Sequence, residues 1–193
     1  EPDEPPPPPV VVKNELSLNI SGSGTVRNVI LLIGDGMGVG QLSAAEYTNG
    51  QESLSVSSMP YKSLVTTYSE SAFVTDSAAS GTALATGYKT NNGRISLSTS
   101  GETLTTVVEV AEEHGASTGI VSNTRVTHAT PACFMAHVSS RGMESTIASQ
   151  VLESGVDVVL GGGSTYFTSL DPGSAGYSVV TNTEELLDVD SGM

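Results

Sequence analysis

Residues 28–33, "NVILLI", form a continuous apolar run with no alternation of polar and apolar side chains. A strand of this kind must be covered on both faces, which is the situation of a strand inside a parallel sheet. Three further segments read as strands. They are "SLVTTYS" (63–69), "STGIVSNT" (117–124) and "VDVVLGGG" (156–163). Between them lie segments with helical composition: "GQLSAAEYT" (40–48), "SAASGTALATG" (77–87), "ETLTTVVEVAEEHG" (102–115) and "ESTIASQVLESG" (144–155). Glu102 or Thr103 is expected near the start of the third helix, and Gly115 beyond its end. Strand and helix taking turns predicts an α/β layered fold with a largely parallel central sheet flanked by helices. Ligands of such sheets bind at the carboxyl ends of the strands. The pattern fades after residue 164, so the sheet is expected to be incomplete in this chain.

The 193 residues carry seven Lys+Arg against 21 Asp+Glu, a net charge of −14. No basic stripe exists for nucleic acid. Such a surface is either simply soluble or adapted to high salt, which screens self-repulsion. An anionic substrate would be repelled at long range and held only at a local positive centre. Residues 1–9, "EPDEPPPPP", are too rich in proline to pack. Residues 1–25 are therefore expected to be an acidic tether, with the folded portion at 26–193. No apolar run approaches the ~20 residues needed to span a bilayer. No signal peptide is visible, so an exported chain would be the mature form. The single cysteine, Cys133, rules out an internal disulfide and reads as a buried structural thiol.

Alternating glycines follow the first apolar run in "GDGMGVG" (34–40). They fail the dinucleotide fingerprint, whose third glycine would fall on Val39 or Gln41. Asp35 would also repel a phosphate in such a loop. A metal ion between the two removes that conflict, because a strand-end carboxylate suits zinc or magnesium. The alternative is that Asp35 caps the following helix. Ser77 is expected at a helix N-terminus, where backbone amides and the macrodipole favour an alkoxide or a phosphate. No G-x-S-x-G elbow surrounds it, and Asp76 or Ser77 is equally readable as an N-cap.

Three stretches, "NVILLIGDGMG", "TDSAASGTALATG" and "THATPACFMAHVSSR", resemble in sequence and order the metal-dependent alkaline phosphatases. The likeness runs from about residue 26 to 167 and implies the alkaline-phosphatase-like α/β fold. It implies hydrolysis of phosphate monoesters through a phosphoserine at Ser77, with inorganic phosphate as product. Two zinc ions and one magnesium ion are implied as cofactors. One zinc would lower the pKa of Ser77, and the other would activate water for the second step. By the resemblance, Asp35 bridges the magnesium site and one zinc, and Thr130 is a magnesium ligand. Asp76 helps position the arginine and the serine loop. His128 stands where relatives carry aspartate or histidine, and acts on magnesium through water. Arg141 matches the arginine that clamps phosphate oxygens, a role its planar fork suits. His114 and His137 are read as structural, His114 at a helix end and His137 along the helix after Pro131.

Family chains are longer, and their remaining metal ligands lie downstream. After Gly163 this sequence has no histidine, and Asp171, Asp188 and Asp190 match no motif. The chain is therefore expected to be part of a cut, split or truncated enzyme, partnered by the C-terminal portion of the same enzyme. An inactive metal- or phosphate-binding fragment is one alternative. A related phosphodiesterase or mutase is the other, opposed by the pairing of Ser77 with Arg141. The resemblance further implies a homodimer and a secreted, periplasmic or cell-surface location.

Overall fold

The computed structural model describes residues 26–50 and 52–189, so the tether expected at 1–25, and Asp190, lie outside the described residues. The chain divides into two units, residues 1–33 and 34–193. In the first unit, residues 26–33 form no regular element and pair with no strand among the described residues, and Val29 and Ile30 are 86% and 84% exposed. The strand expected at 28–33 is thus not formed. An apolar run becomes a strand only where neighbours take up its backbone groups.

The second unit carries the regular elements. Helix α1 (Val39–Thr48) and helix α2 (Ser77–Thr86) stand where the sequence placed them. Gly87 ends α2 in the left-handed conformation at φ +78°, its N–H donating to Ala83 O at 3.0 Å. Helix α3 (Val107–Glu113) starts later than expected. Thr106 caps it, and Glu109 reaches back to the Thr106 N–H at 2.7 Å, a complete capping box. Upstream, Thr103 instead bridges antiparallel to Leu97.

Strand β1 (Gly119–Arg125) leads into the four-residue helix α4 (Ala129–Ala132). Helix α5 (Glu144–Glu153) then crosses back to strand β2 (Val158–Gly162). The two strands are parallel, with Gly119, Ile120 and Val121 opposite Val158, Val159 and Leu160. The fold is α/β with a parallel sheet, two-stranded among the described residues. A short 3-10 turn (Ser164–Tyr166) and helix α6 (Thr183–Asp188) follow. Residues 63–69, expected as a strand, form no regular element and have no strand partner among the described residues, with Leu64 89% exposed.

The core is built from α2, α4, α5 and the segment 133–138 between the last two. It contains Ala78, Ala85, Ile95, Ala132, Cys133, Phe134, Ile147 and Val151. Small side chains on α2 let α4 approach closely, and α2 buries Ala78, Ala79, Gly81, Thr82 and Ala85. Cys133 is fully enclosed, donates to Ala78 O at 3.3 Å, and burial pushes its thiol up to about 12. It is an inert packing residue, as expected. A Cβ added at Gly81 would lie 2.9 Å from Cys133 Sγ and 3.3 Å from its Cβ. Alanine gains about 0.5–1 kcal/mol over glycine within a helix, whereas overpacking a closed core costs about 1–3 kcal/mol. Gly81→Ala should therefore lower stability in urea unfolding, and the double variant Gly81→Ala/Cys133→Ala should recover part of the loss. Equal stability of wild type and Gly81→Ala would show that the contact yields freely.

Candidate active site

A tight turn presents Asp35. Met37 N–H donates to Gly34 O at 3.1 Å, and Gly36 sits at φ +69°, a conformation that favours glycine. Asp35 does not cap α1. The N-cap is Gly38, whose N–H is taken by Gln41 Oε1 at 3.1 Å. Both Asp35 oxygens accept from side chains far along the chain. Ser77 Oγ donates to Oδ1 at 3.1 Å, and Thr130 Oγ1 donates to Oδ2 at 2.7 Å. The Thr130 hydroxyl, more than any other neighbour, holds the Asp35 carboxyl below its usual range.

Ser77 is the first residue of α2, so its side chain lies at the helix N-terminus. Asp76 is the N-cap. Its Oδ1 accepts from Ala79 N–H at 2.9 Å, and its Oδ2 accepts from Gly93 N–H and Arg141 Nη1, each at 3.0 Å. Burial opposes its ionisation, but the Ala79 and Gly93 amides and the Arg141 guanidinium outweigh burial and hold its carboxyl low. Arg141 Nη2 lies 3.1 Å from His128 Nε2, which acts as acceptor because a guanidinium has only donors. These two bonds leave the other guanidinium N–H groups for an anion. All six residues singled out by sequence thus gather around Ser77, in two linked sets. Asp35, Ser77 and Thr130 form one, and Asp76, Arg141 and His128 form the other. His128 touches the arginine directly, a contact the sequence did not reveal.

His137 lies elsewhere than expected. Helix α4 ends at Ala132, and the His137 ring bridges Ser96 O (2.9 Å, Nδ1) and Glu109 Oε1 (3.0 Å, Nε2). His114 does close α3, with Nδ1 at 2.8 Å from Val110 O.

Two groups near the site had no sequence forecast. Asn92 and Gly93 contact the backbone and side chain around Asp76; the Asn-Asn-Gly triplet signals a turn but not its contacts. Glu144 receives Arg125 Nε and Nη2 at 2.8 and 2.9 Å and Thr127 Oγ1 at 2.6 Å. This fork fastens the end of β1 to the start of α5, just beyond Arg141.

Asp35, Ser77 and Thr130 offer only oxygen donors, which suits a hard cation such as magnesium. Zinc asks for about four ligands, usually with nitrogen or sulfur among them. Among the described residues no group of three or more His, Cys, Asp or Glu is placed to hold a metal. Asp35, Ser77 and Thr130 are by themselves too few ligands to hold either ion.

A family model described as alkaline phosphatase matches residues 26–182. The chain belongs to the alkaline phosphatase family. Alkaline phosphatase 3 of Bacillus subtilis (strain 168) is 39% identical over 181 residues, covering 84% of this chain and 39% of that protein. The cold-active alkaline phosphatase from the psychrophile Shewanella sp. superposes with a TM-score of 0.70 at 38% identity, over 81% of this chain and 42% of that one. A histidine-to-glutamate variant of the TAB5 alkaline phosphatase, with Mg bound in its M3 site, gives a TM-score of 0.71 at 28% identity, over 80% and 48%. This chain spans about two-fifths of the length of the curated alkaline phosphatases it matches and covers only part of their fold. Enzymes of the family generally use zinc and magnesium.

The Glu144 fork carries a pH signature. Arg125 chiefly, with Thr127, holds its carboxyl at about 2, below the ordinary 4.5. A depressed folded-state pKa stabilises above the unfolded value, and the gain disappears as pH falls from 4.5 toward about 2. Glu144→Gln should be less stable than wild type at neutral pH and converge on it through that window. Parallel acid-unfolding curves for the two proteins would contradict the assignment.

Proposed function

We propose that this chain carries the nucleophile and the phosphate clamp of a phosphate monoester hydrolase. The remaining metal ligands would come from the C-terminal portion of the same enzyme. One observation carries the reading: Ser77, at the tip of α2, is hydrogen-bonded to Asp35 while its neighbour Asp76 holds Arg141. In this mechanism Arg141 binds two oxygens of the phosphate dianion. Asp76 and His128 keep the guanidinium in place at 3.0 and 3.1 Å. The N-terminus of α2, where Ser77 stands, adds positive potential where the phosphorus sits. Ser77 Oγ attacks phosphorus in line as the ester P–O bond breaks. The alkoxide leaves and takes up a proton, and Ser77 becomes phosphoserine. Water then cleaves the Ser77 Oγ–P bond, returning the serine and releasing inorganic phosphate. The Ser77 hydroxyl proton faces Asp35 Oδ1. A carboxyl held below its usual range is a weak base, so the hydroxyl needs help to ionise. Two zinc ions and one magnesium, when bound, would lower the serine pKa and stabilise the entering and leaving oxygens. Asp35 would be shared between the magnesium and one zinc, and Thr130 would complete the magnesium side.

The pairing of Ser77 with an anchored arginine favours monoesters over diesters, because only a monoester presents a dianion to the clamp. The same reading includes a homodimer, a place outside the cytoplasm, and a surface whose charge of −14 is relieved by salt. Among the described residues no helix is long and apolar enough to cross a membrane.

The test uses this chain joined to its complement, with an aryl phosphate as substrate. Ser77→Ala should lower kcat roughly a thousandfold or more. Arg141→Ala should lower kcat/KM roughly a hundredfold or more and weaken inhibition by phosphate in parallel. Unchanged turnover in Ser77→Ala would remove the serine from the mechanism.

A further inference from the structure

The turn at Asn91–Arg94 lies between the two halves of the proposed site. Arg94 N–H closes it on Asn91 O at 3.2 Å, and Gly93 sits at φ +85°, as the third residue of such a turn requires. The Asn92 carboxamide spans the peptide ahead of Ser77. Its Oδ1 accepts from Asp76 N–H at 3.1 Å, and its Nδ2 donates to Val74 O at 3.0 Å. Gly93 continues the link. Its N–H donates to Asp76 Oδ2 at 3.0 Å, and its carbonyl accepts from the Arg141 backbone N–H at 2.6 Å. One turn therefore bonds both the segment that ends in Ser77 and the backbone of Arg141.

We infer that Asn92 is a positioning residue for the proposed phosphoryl transfer, setting the Ser77 loop against Arg141 through the Asn92–Gly93 turn. The inference rests on the phosphatase reading above. Asn92 is exposed, so its bonds compete with water and add little to stability. Their effect is on geometry, and a nucleophile displaced by about 1 Å costs roughly a hundredfold in rate. An amide is needed for both bonds. An aspartate keeps the acceptor for Asp76 N–H but turns an oxygen toward Val74 O.

The test uses the enzyme complete with its downstream portion, an aryl phosphate, and amide hydrogen exchange. Asn92→Ala should lower kcat/KM roughly ten- to a hundredfold while Tm moves by no more than about 3 °C. Asn92→Asp should recover part of the rate. Ser71→Ala, which removes only the 2.9 Å bond to the Asn92 backbone N–H, should stay near wild type. Exchange of the Asp76 amide should accelerate in Asn92→Ala, with the amides of β1 unchanged. A kcat/KM for Asn92→Ala within twofold of wild type overturns the inference, as does an unaltered Asp76 exchange rate. A wild type that turns over no phosphate monoester overturns the phosphatase reading instead, and Asp76 exchange then decides alone whether Asn92 fixes the loop.

Discussion

A single carboxylate ties this site together. Asp35 accepts hydroxyls from residues 42 and 95 positions away, one on α2 and one on α4. Neither hydroxyl can neutralise it. Its carboxyl is held below the usual range with only these two neutral donors, one of them the serine at the tip of α2, and in the proposed function a cation answers its charge. The rest of the site is built around that carboxylate. The glycine turn at 34–36 presents the carboxylate, the close packing of α2 on α4 brings Ser77 and Thr130 to it, and the small residues of α2 make the packing feasible.

A net charge of −14 repels a phosphate at long range. In the proposed function a local reversal of sign is essential. Arg141 supplies it, and it is fixed in place by Asp76 and His128 with its backbone N–H on Gly93 O. Asp76 serves three masters at once: the helix α2 amides, the Asn92–Gly93 turn and the guanidinium. The amides and the guanidinium hold its carboxyl low, so the Arg141 side chain and the start of α2 share one charged anchor. Glu144 does similar work one layer away, holding the end of β1 to the start of α5 through Arg125 and Thr127.

Helices were legible because their signals are local. Gly87 ends α2, and Thr106 with Glu109 sets the start of α3 more accurately than the looser cluster at Glu102 and Thr103. The parallel pair β1 and β2 was legible because both strands and their crossover lie within the described chain. Segments 28–33 and 63–69 have strand composition but no strand partner among the described residues, and composition cannot supply one. The site residues were legible only through motifs resembling a family; spacing alone left Asp35 divided between capping a helix and binding a metal. The contacts of Asn92 with Val74 and of Glu144 with Arg125 span 18 and 19 residues. Nothing in the local sequence announces such pairs. The His128–Arg141 contact was hidden for the same reason.

The most direct test is calorimetric titration of magnesium and zinc into the complete enzyme and into its Asp35→Asn variant, which keeps the shape and removes the charge. The account predicts that the variant binds both ions at least about tenfold more weakly, since one charged ligand is lost from each site. Wild-type affinity for both ions in Asp35→Asn would contradict it.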